Sequence, residues 1–246
     1  MTRSFSQLKT DARIALPGSF CTVFATILIR FILMLGAGSI LGRLIGASAG
    51  SSSVAADVVS NFLIFVLFTL FQAGQYFIAL NIARRGRASI SDLFLAFRYE
   101  PGTAVLISLV ISAIQSLCLF PLHYLLINIL FVGTVFGIGS PLMLAGILAL
   151  GAVISLILEA VIALTYSQAM MLYIDHQDYS ALRCLHESRL LMHGKRLRLF
   201  LLNLSFAGYY LLAVLSLGIG FIWVVPYRNV TVAEFYMDLT GNYHPY

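Results

Sequence analysis

Long apolar runs dominate the chain, and each is about as long as the hydrocarbon core of a membrane is thick, or longer. The run at residues 142–174 carries Glu159 as its only charged side chain. About 20 helical residues cross a bilayer core of about 30 Å, because an α-helix rises about 1.5 Å per residue. The predicted membrane helices are the six runs at residues 20–41, 54–83, 104–132, 142–174, 199–217 and 221–240.

The composition leaves too little charge to cover a soluble protein of this size. Of the 246 residues, 60% are hydrophobic and 10% are charged, whereas average globular domains carry about 25% charged residues. The sequence therefore predicts a single integral membrane domain over residues 1–246, all-α, with the lipid bilayer as its main partner. Residues 1–18 contain Asp11 and an amphipathic pattern, which is unlike a cleavable signal peptide.

Short amphipathic segments connect the runs on one side only. They lie at residues 4–16, 89–97 and 179–198, each with apolar side chains on one helical face and charges elsewhere. Twelve lysines and arginines fall in or beside them, whereas the opposite connections hold Arg43 alone. Because short cytoplasmic connections concentrate positive charge, the N-terminus and these interfacial helices are predicted to lie on the cytoplasmic face.

Some of these cations are candidate anchors for anionic lipid headgroups: Arg84, Arg85, Arg87, Arg189, Lys195, Arg196 and Arg198. They stand where basic connections meet apolar runs, so they fix topology, and specific lipid recognition is the alternative. Aromatic residues are not interleaved with them as in a nucleic-acid site, so the net charge of +5 predicts no nucleic-acid partner.

The last run decides how often the chain crosses the membrane. Residues 199–217 suffice for one crossing, and residues 221–240 can return after Gly218 and Gly220, despite Arg228 and Glu234. The second, fourth and last runs end in a loosely similar pattern: a tyrosine is followed by small and apolar residues and then by polar ones. It favours about six transmembrane helices in three hairpins with a cytoplasmic C-terminus. Five crossings with an external C-terminus is the alternative.

Three polar side chains within the runs are candidate intramembrane sites. Arg30, His123 and Glu159 are costly to place in lipid, so such residues commonly pair or line a path. Arg30 and Glu159 either pair across the bundle or flank a polar cavity, or else Arg30 reaches the interface or a structural partner. His123 follows Pro121 and is more typical of a hydrogen-bonded structural group than of a ligand.

The sequence predicts neither enzymatic activity nor a cofactor. It has no nucleophile elbow, zinc-protease motif or phosphate-binding glycine loop, and its three cysteines are not spaced as metal ligands. Asp175, His176 and Asp178 offer two carboxylates and an imidazole, but adjacent residues on a helix point apart. We therefore expect no bound metal.

Several strings along the chain resemble a known family. The longest is Ser-Arg-Leu-Leu-Met-His-Gly-Lys at residues 188–195, and others lie at residues 8–12, 85–97, 198–206, 217–223 and 226–236. They are similar to the bacterial integral membrane family catalogued as domain of unknown function 975. His193, Leu197 and Tyr209-Tyr210 depart from its usual pattern. The resemblance implies a multi-pass protein of the bacterial cytoplasmic (inner) membrane, and it implies no activity, cofactor or catalytic residue.

Two functions follow from these features. The first is a non-enzymatic role in envelope organisation or in binding a membrane protein partner, favoured by the surface-lying helices. The alternative is a transporter or export permease for a small or amphipathic molecule, favoured by Arg30, Glu159 and the similar pattern that ends three of the runs. A polar cavity at mid-membrane depth would favour transport, and a tightly packed bundle would favour partner binding.

Overall fold

Helices build the computed structural model, which describes residues 3–48, 54–98, 100–136 and 140–241. Helices make up most of the described ranges, which contain no strand, so the predicted all-α fold is confirmed. Short 3-10 helices lie at Pro17–Ser19 and at Ile90–Phe94. The α-helices are α1 (Phe5–Ala15), α2 (Phe20–Ser48), α3 (Val54–Ala83), α4 (Leu95–Arg98), α5 (Pro101–Phe136), α6 (Pro141–Tyr166), α7 (Ala169–Asp175), α8 (Ala181–Leu191), α9 (Arg196–Leu204), α10 (Ala207–Leu215) and α11 (Phe221–Thr240).

Serine caps set where two of the amphipathic segments begin. At α1, Ser4 Oγ accepts a hydrogen bond from the Gln7 amide at 3.3 Å, and the Gln7 side chain accepts from the Ser4 amide at 2.8 Å. Ser89 and Asp92 form the same capping box. The segment they open, predicted as a helix over residues 89–97, is mostly 3-10 helix followed by one turn of α4, as is common in short connectors.

Serine side chains interrupt two of the predicted runs. Ser167 Oγ donates to the Leu164 carbonyl at 2.9 Å between α6 and α7, and Ser205 donates to the Leu202 carbonyl between α9 and α10. A hydroxyl that bonds a carbonyl of the preceding turn competes with the helical hydrogen bonds. The runs predicted at 142–174 and 199–217 are therefore each two successive helices.

Four stretches of the described chain are long and apolar enough to cross a membrane: Asn61–Ala83, Pro101–Phe131, Ala145–Asp175 and Arg196–Leu215. A fifth is present if α1 and the start of α2, which meet at a 45° bend, form one span. These four or five stretches indicate a membrane protein. Helix α11 is not among them and carries Arg228, Glu234 and Asp238, so the sixth predicted crossing is not confirmed.

The buried core lies at one end of the long helices, called the basic end below. There the ends of α3 and α11 and the start of α5 pack around α7 and α8, with Met171 and Tyr236 fully buried. Helix α1 closes this end, where Leu8 belongs to a cluster with Phe206 and Phe235. The core thus gathers all three amphipathic segments that the sequence predicted on one side.

Helices α5 and α6 pack on each other but project from this core. Within an apolar 18-residue window of each stretch, 44% of the residues are buried for Asn61–Ala83, but only 6% for Pro101–Phe131 and 6% for Ala145–Asp175. Most of the surface of the α5–α6 pair is therefore uncovered by the rest of the described chain.

Helix α11 runs back along α9 and α10. Arg228 Nε donates to Asn203 Oδ1 at 3.0 Å, and the Tyr227 and Phe206 rings pack with centroids 5.2 Å apart. Near the turn, Gly220 approaches Ala213 so closely that a Cβ added at Gly220 would lie 2.6 Å from Ala213 Cα. In these contacts, later residues of α11 lie against earlier residues of the α9–α10 segment. Helix α11 is therefore antiparallel to that segment.

Candidate functional site

A network of buried ion pairs joins several elements at the basic end. Arg3 Nη1 lies 2.7 Å from Asp11 Oδ2 and 3.2 Å from Glu234 Oε2, and Arg3 Nε lies 3.4 Å from Asp238 Oδ1. Burial alone would lower the pKa of Arg3, but hydrogen bonds to the carboxylates of Glu234 and Asp11 outweigh it and raise the pKa. The Arg3 guanidinium therefore stays charged inside the protein.

Two further arginines complete this network. Arg85 Nη2 lies 3.3 Å from Glu234 Oε1, and Arg198 Nη1 lies 2.8 Å from Asp238 Oδ2. Arg198 also donates to the backbone carbonyl of Arg3. With Asp11, three arginines face three carboxylates, so the network is neutral, and it ties the N-terminus to α3, α9 and α11. Losing one partner of such buried pairs leaves an uncompensated charge.

Asp175 is held by a neighbouring ion pair. Arg84 donates to Asp175 Oδ1, and the Tyr236 hydroxyl donates to Asp175 Oδ2 at 2.8 Å. His176, next in the chain, stacks on the Tyr179 ring with centroids 4.5 Å apart. Within the described ranges no three His, Cys, Asp or Glu side chains gather as metal ligands. The Asp175 carboxylate thus serves Arg84 and Tyr236.

Three of the seven predicted lipid anchors are bound by carboxylates of the protein itself: Arg84, Arg85 and Arg198. Arg87 and Arg189 are exposed, whereas Lys195 and Arg196 are half-buried. A guanidinium that faces a carboxylate presents little net charge to lipid. Arg84, Arg85 and Arg198 are therefore less suited to binding headgroups than the other four.

The sequence prediction missed this network because its members lie far apart in the chain. Arg3 and Asp238 are separated by 235 positions and meet only after folding. One local signal was present. Glu234 and Asp238 stand four residues apart and so share one face of a helix, within a segment that is otherwise largely apolar.

The structure does not bring Arg30 and Glu159 together. Arg30 donates to Gln75 Oε1 and lies over the Phe68 ring, 4.3 Å from its centroid. Glu159 and His123 line a groove of about 500 Å³ between α5 and α6. His123 Nδ1 lies 2.9 Å from the Leu119 carbonyl, a bond within its own helix. Glu159 is exposed and has no hydrogen bond or ion pair in the part of the chain that the structure describes.

Polar side chains on α5 link this groove to α3. Two cavities of about 280 Å³ and 420 Å³ share Ser112 and Gln115 in their linings. The first also borders Gln72 of α3, and the second reaches His123 and Glu159. Hydroxyls and amides thus form a polar track that ends at the Glu159 carboxylate.

The comparisons with known proteins identify one family. The sequence model of the family described as Protein of unknown function (DUF975) matches residues 1–243. No curated protein and no solved structure matches the chain. The family match spans the ion-pair network from Arg3 to Asp238 as well as the whole α5–α6 pair. The chain therefore belongs to the DUF975 family of proteins of unknown function, as its sequence resemblance predicted.

Proposed function

We propose that this chain is a multi-pass protein of the bacterial inner membrane that acts without catalysis, by binding another membrane protein through its α5–α6 pair. The observation that carries the proposal is the exposure of this pair. Only 6% of the residues in an apolar 18-residue window of each stretch are buried, although each stretch is long enough to cross a membrane. The basic end, in contrast, is densely packed, and its buried ion pairs balance one another in charge.

Glu159 gives this surface its chemistry. It lies 14 residues from the start and 16 from the end of Ala145–Asp175, since 159 − 145 is 14 and 175 − 159 is 16. An acidic side chain at the centre of a transmembrane helix costs about 2.5–3.5 kcal/mol on insertion scales. A partner helix that presents a hydrogen-bond donor or a cation at this depth removes that cost. His123, on the facing helix, offers a second polar contact.

The proposed topology places the basic end in the cytoplasm, with both termini there. Twelve cations at this end against Arg43 on the other side support that orientation. The antiparallel run of α11 beside α9 and α10 supports a third hairpin and six crossings. The exposed cations Arg87 and Arg189 then face the headgroups of the inner leaflet, where they attract anionic lipid.

Site-specific photo-cross-linking in living cells tests the proposed partner. The photoreactive residue benzoylphenylalanine replaces Leu156, which lines the Glu159 groove and is 65% exposed. Leu150 is the matched control, because it lies on the same helix, is 63% exposed and does not line the groove. We expect a discrete protein adduct at residue 156, little at residue 150, and loss of the adduct in Glu159→Leu. Lipid adducts alone at both positions would refute partner binding.

Transport is the second candidate, favoured by the polar track. The two cavities that share Ser112 and Gln115 offer hydroxyl and amide groups leading to a carboxylate, which suits a cationic amphipathic molecule. Energised inverted vesicles with rhodamine 6G added to the medium, on their cytoplasmic face, test it. Transport by this route predicts protein-dependent dye movement that Glu159→Gln and Gln115→Leu abolish. Dye movement that is equal with and without the protein would exclude this route for the probe.

A further inference from the structure

A groove separate from the α5–α6 pair lies where the turn between α1 and α2 meets α10 and α11. Its volume is about 500 Å³. The buried side chains of Leu16 and Val224 lie at its base. Phe20 and Trp223 form one wall, with their rings stacked at a centroid distance of 6.2 Å. The interior of the groove is thus apolar and large enough for several methylene groups.

Arg13 supplies positive charge at the edge of the groove. It stands in the last turn of α1, is exposed, and has no hydrogen bond or ion pair within the described residues. Among the described residues, those that line the groove include no acidic side chain. Lys9, one turn earlier, adds positive potential, although its ammonium already donates to the Ser205 carbonyl at 3.0 Å and lies over the Phe206 ring. The edge of the groove therefore attracts an anion.

Two tyrosines also line the groove. The Tyr227 hydroxyl donates to the Lys9 carbonyl at 3.2 Å, which fixes its ring. The Tyr209 hydroxyl has no partner within the described residues, so it is available as a donor. A guanidinium and a hydroxyl beside an apolar cleft match a phosphodiester with its attached acyl chains.

The position of the groove agrees with this chemistry. Pro17–Ser19 separates the amphipathic α1 from the apolar α2, which places the junction at the membrane surface. Tryptophan and tyrosine are enriched at that depth because their rings have an apolar body and a polar end. We propose that this groove is a binding site for an anionic phospholipid, with its phosphate at Arg13 and Tyr209 and an acyl chain along Phe20 and Trp223.

The chain contains one tryptophan, so its fluorescence reports on this groove directly. The protein is reconstituted in vesicles in which a small fraction of lipid is brominated in the acyl chain, either as phosphatidylglycerol or as phosphatidylcholine. Bromine quenches indole emission on contact. We expect brominated phosphatidylglycerol to occupy the groove about fivefold more strongly than brominated phosphatidylcholine, since one cation near a membrane surface contributes about 1 kcal/mol to the binding of anionic lipid. Excess inorganic phosphate should leave the quenching by brominated phosphatidylglycerol unchanged, whereas relief of that quenching would indicate a free-phosphate site.

Variants distinguish a site from general surface charge. Arg13→Gln should bring the ratio between the two lipids to about one, and Arg13→Lys should retain most of the preference. Arg87→Gln, which removes an exposed cation away from the groove, should keep it. Arg13 has no described partner, so unchanged thermal unfolding verifies that its variants are folded. Equal quenching by both lipids in the unmodified protein, a preference that survives Arg13→Gln, or an equal loss in Arg87→Gln would each overturn the proposal.

Discussion

At the residue scale, Arg85 combines backbone strain with an ion pair. Its φ of 63° places it in the left-handed conformation that glycine usually adopts just after a helix. The Arg85 amide donates to the Ile82 carbonyl at 2.9 Å and the Gly86 amide to the Asn81 carbonyl at 2.8 Å, which is a Schellman ending of α3. A side chain in this conformation costs about 1–2 kcal/mol. The pairing of Arg85 with Glu234 offsets that cost.

Glu234 is the residue on which the ion-pair network depends most. It is fully buried and faces both Arg3 and Arg85, so Glu234→Gln removes a carboxylate counter-charge from both guanidinium groups, although Arg3 keeps Asp11 and Asp238. We expect a loss of about 3–5 kcal/mol in the free energy of unfolding, measured by denaturation in detergent. Glu187→Gln is the matched control, because Glu187 is half-buried without an ion pair in the described chain. Equal small losses in both variants would show that the network contributes little stability.

Cys184 gives a prediction about reactivity. It is fully buried on α8, and burial raises the pKa of its thiol to about 11. A raised thiol pKa means that the reactive thiolate is scarce at pH 8 and increases as the pH rises towards 11. In a variant with Cys21→Ser and Cys118→Ser, maleimide labelling at pH 8 should be slow, and its rate should rise about tenfold per pH unit up to pH 10. Fast labelling of the folded protein at pH 8 would contradict this placement.

At the element scale, close packing positions the second amphipathic segment. A Cβ added at Gly74 of α3 would lie 2.1 Å from the Leu93 carbonyl oxygen, so the 3-10 segment Ile90–Phe94 rests directly on this glycine. Leu93 is fully buried at the contact. The backbone of one element thus approaches the backbone of the other more closely than any other residue type permits.

Gly74→Ala should therefore destabilise the protein even though alanine favours a helix. Overpacking a tight contact costs about 1–3 kcal/mol, which exceeds the gain of about 0.5–1 kcal/mol expected for alanine in an open helix. Gly146→Ala in α6 is the control, since nothing lies within 4 Å of its added Cβ. We expect thermal unfolding in detergent to shift downward for residue 74 and upward or not at all for residue 146. Opposite shifts would contradict the close contact.

At the scale of the whole molecule, the core is concentrated at the basic end while α5 and α6 extend beyond it. A topology reporter tests how this asymmetry is placed in the membrane. Green fluorescent protein fused at the C-terminus should fluoresce, and alkaline phosphatase inserted between α5 and α6 should be active, because the first folds in the cytoplasm and the second in the periplasm. A dark C-terminal fusion with active C-terminal phosphatase would favour five crossings.

The sequence by itself determined that lipid surrounds much of this protein and that its positive charges gather on one side. Apolar stretches such as Ala145–Asp175 need no tertiary information, because a helix of that length and composition is stable only where lipid or protein covers it. The clustering of Arg84, Arg85 and Arg198 with the amphipathic segments was equally readable, and so was the family.

Only the tertiary structure decided which charged side chains are paired within the protein and which remain available to bind lipid or a partner. It places Arg3 against Glu234 and Arg85 against the same carboxylate, and it leaves Arg13 and Glu159 without partners in the described chain. Periodicity assigns a residue to a face of its own helix, but it carries no information on which distant element covers that face. Pairing across 231 positions, as between Arg3 and Glu234, depends on how the helices pack, and packing is settled by the shapes of many side chains together.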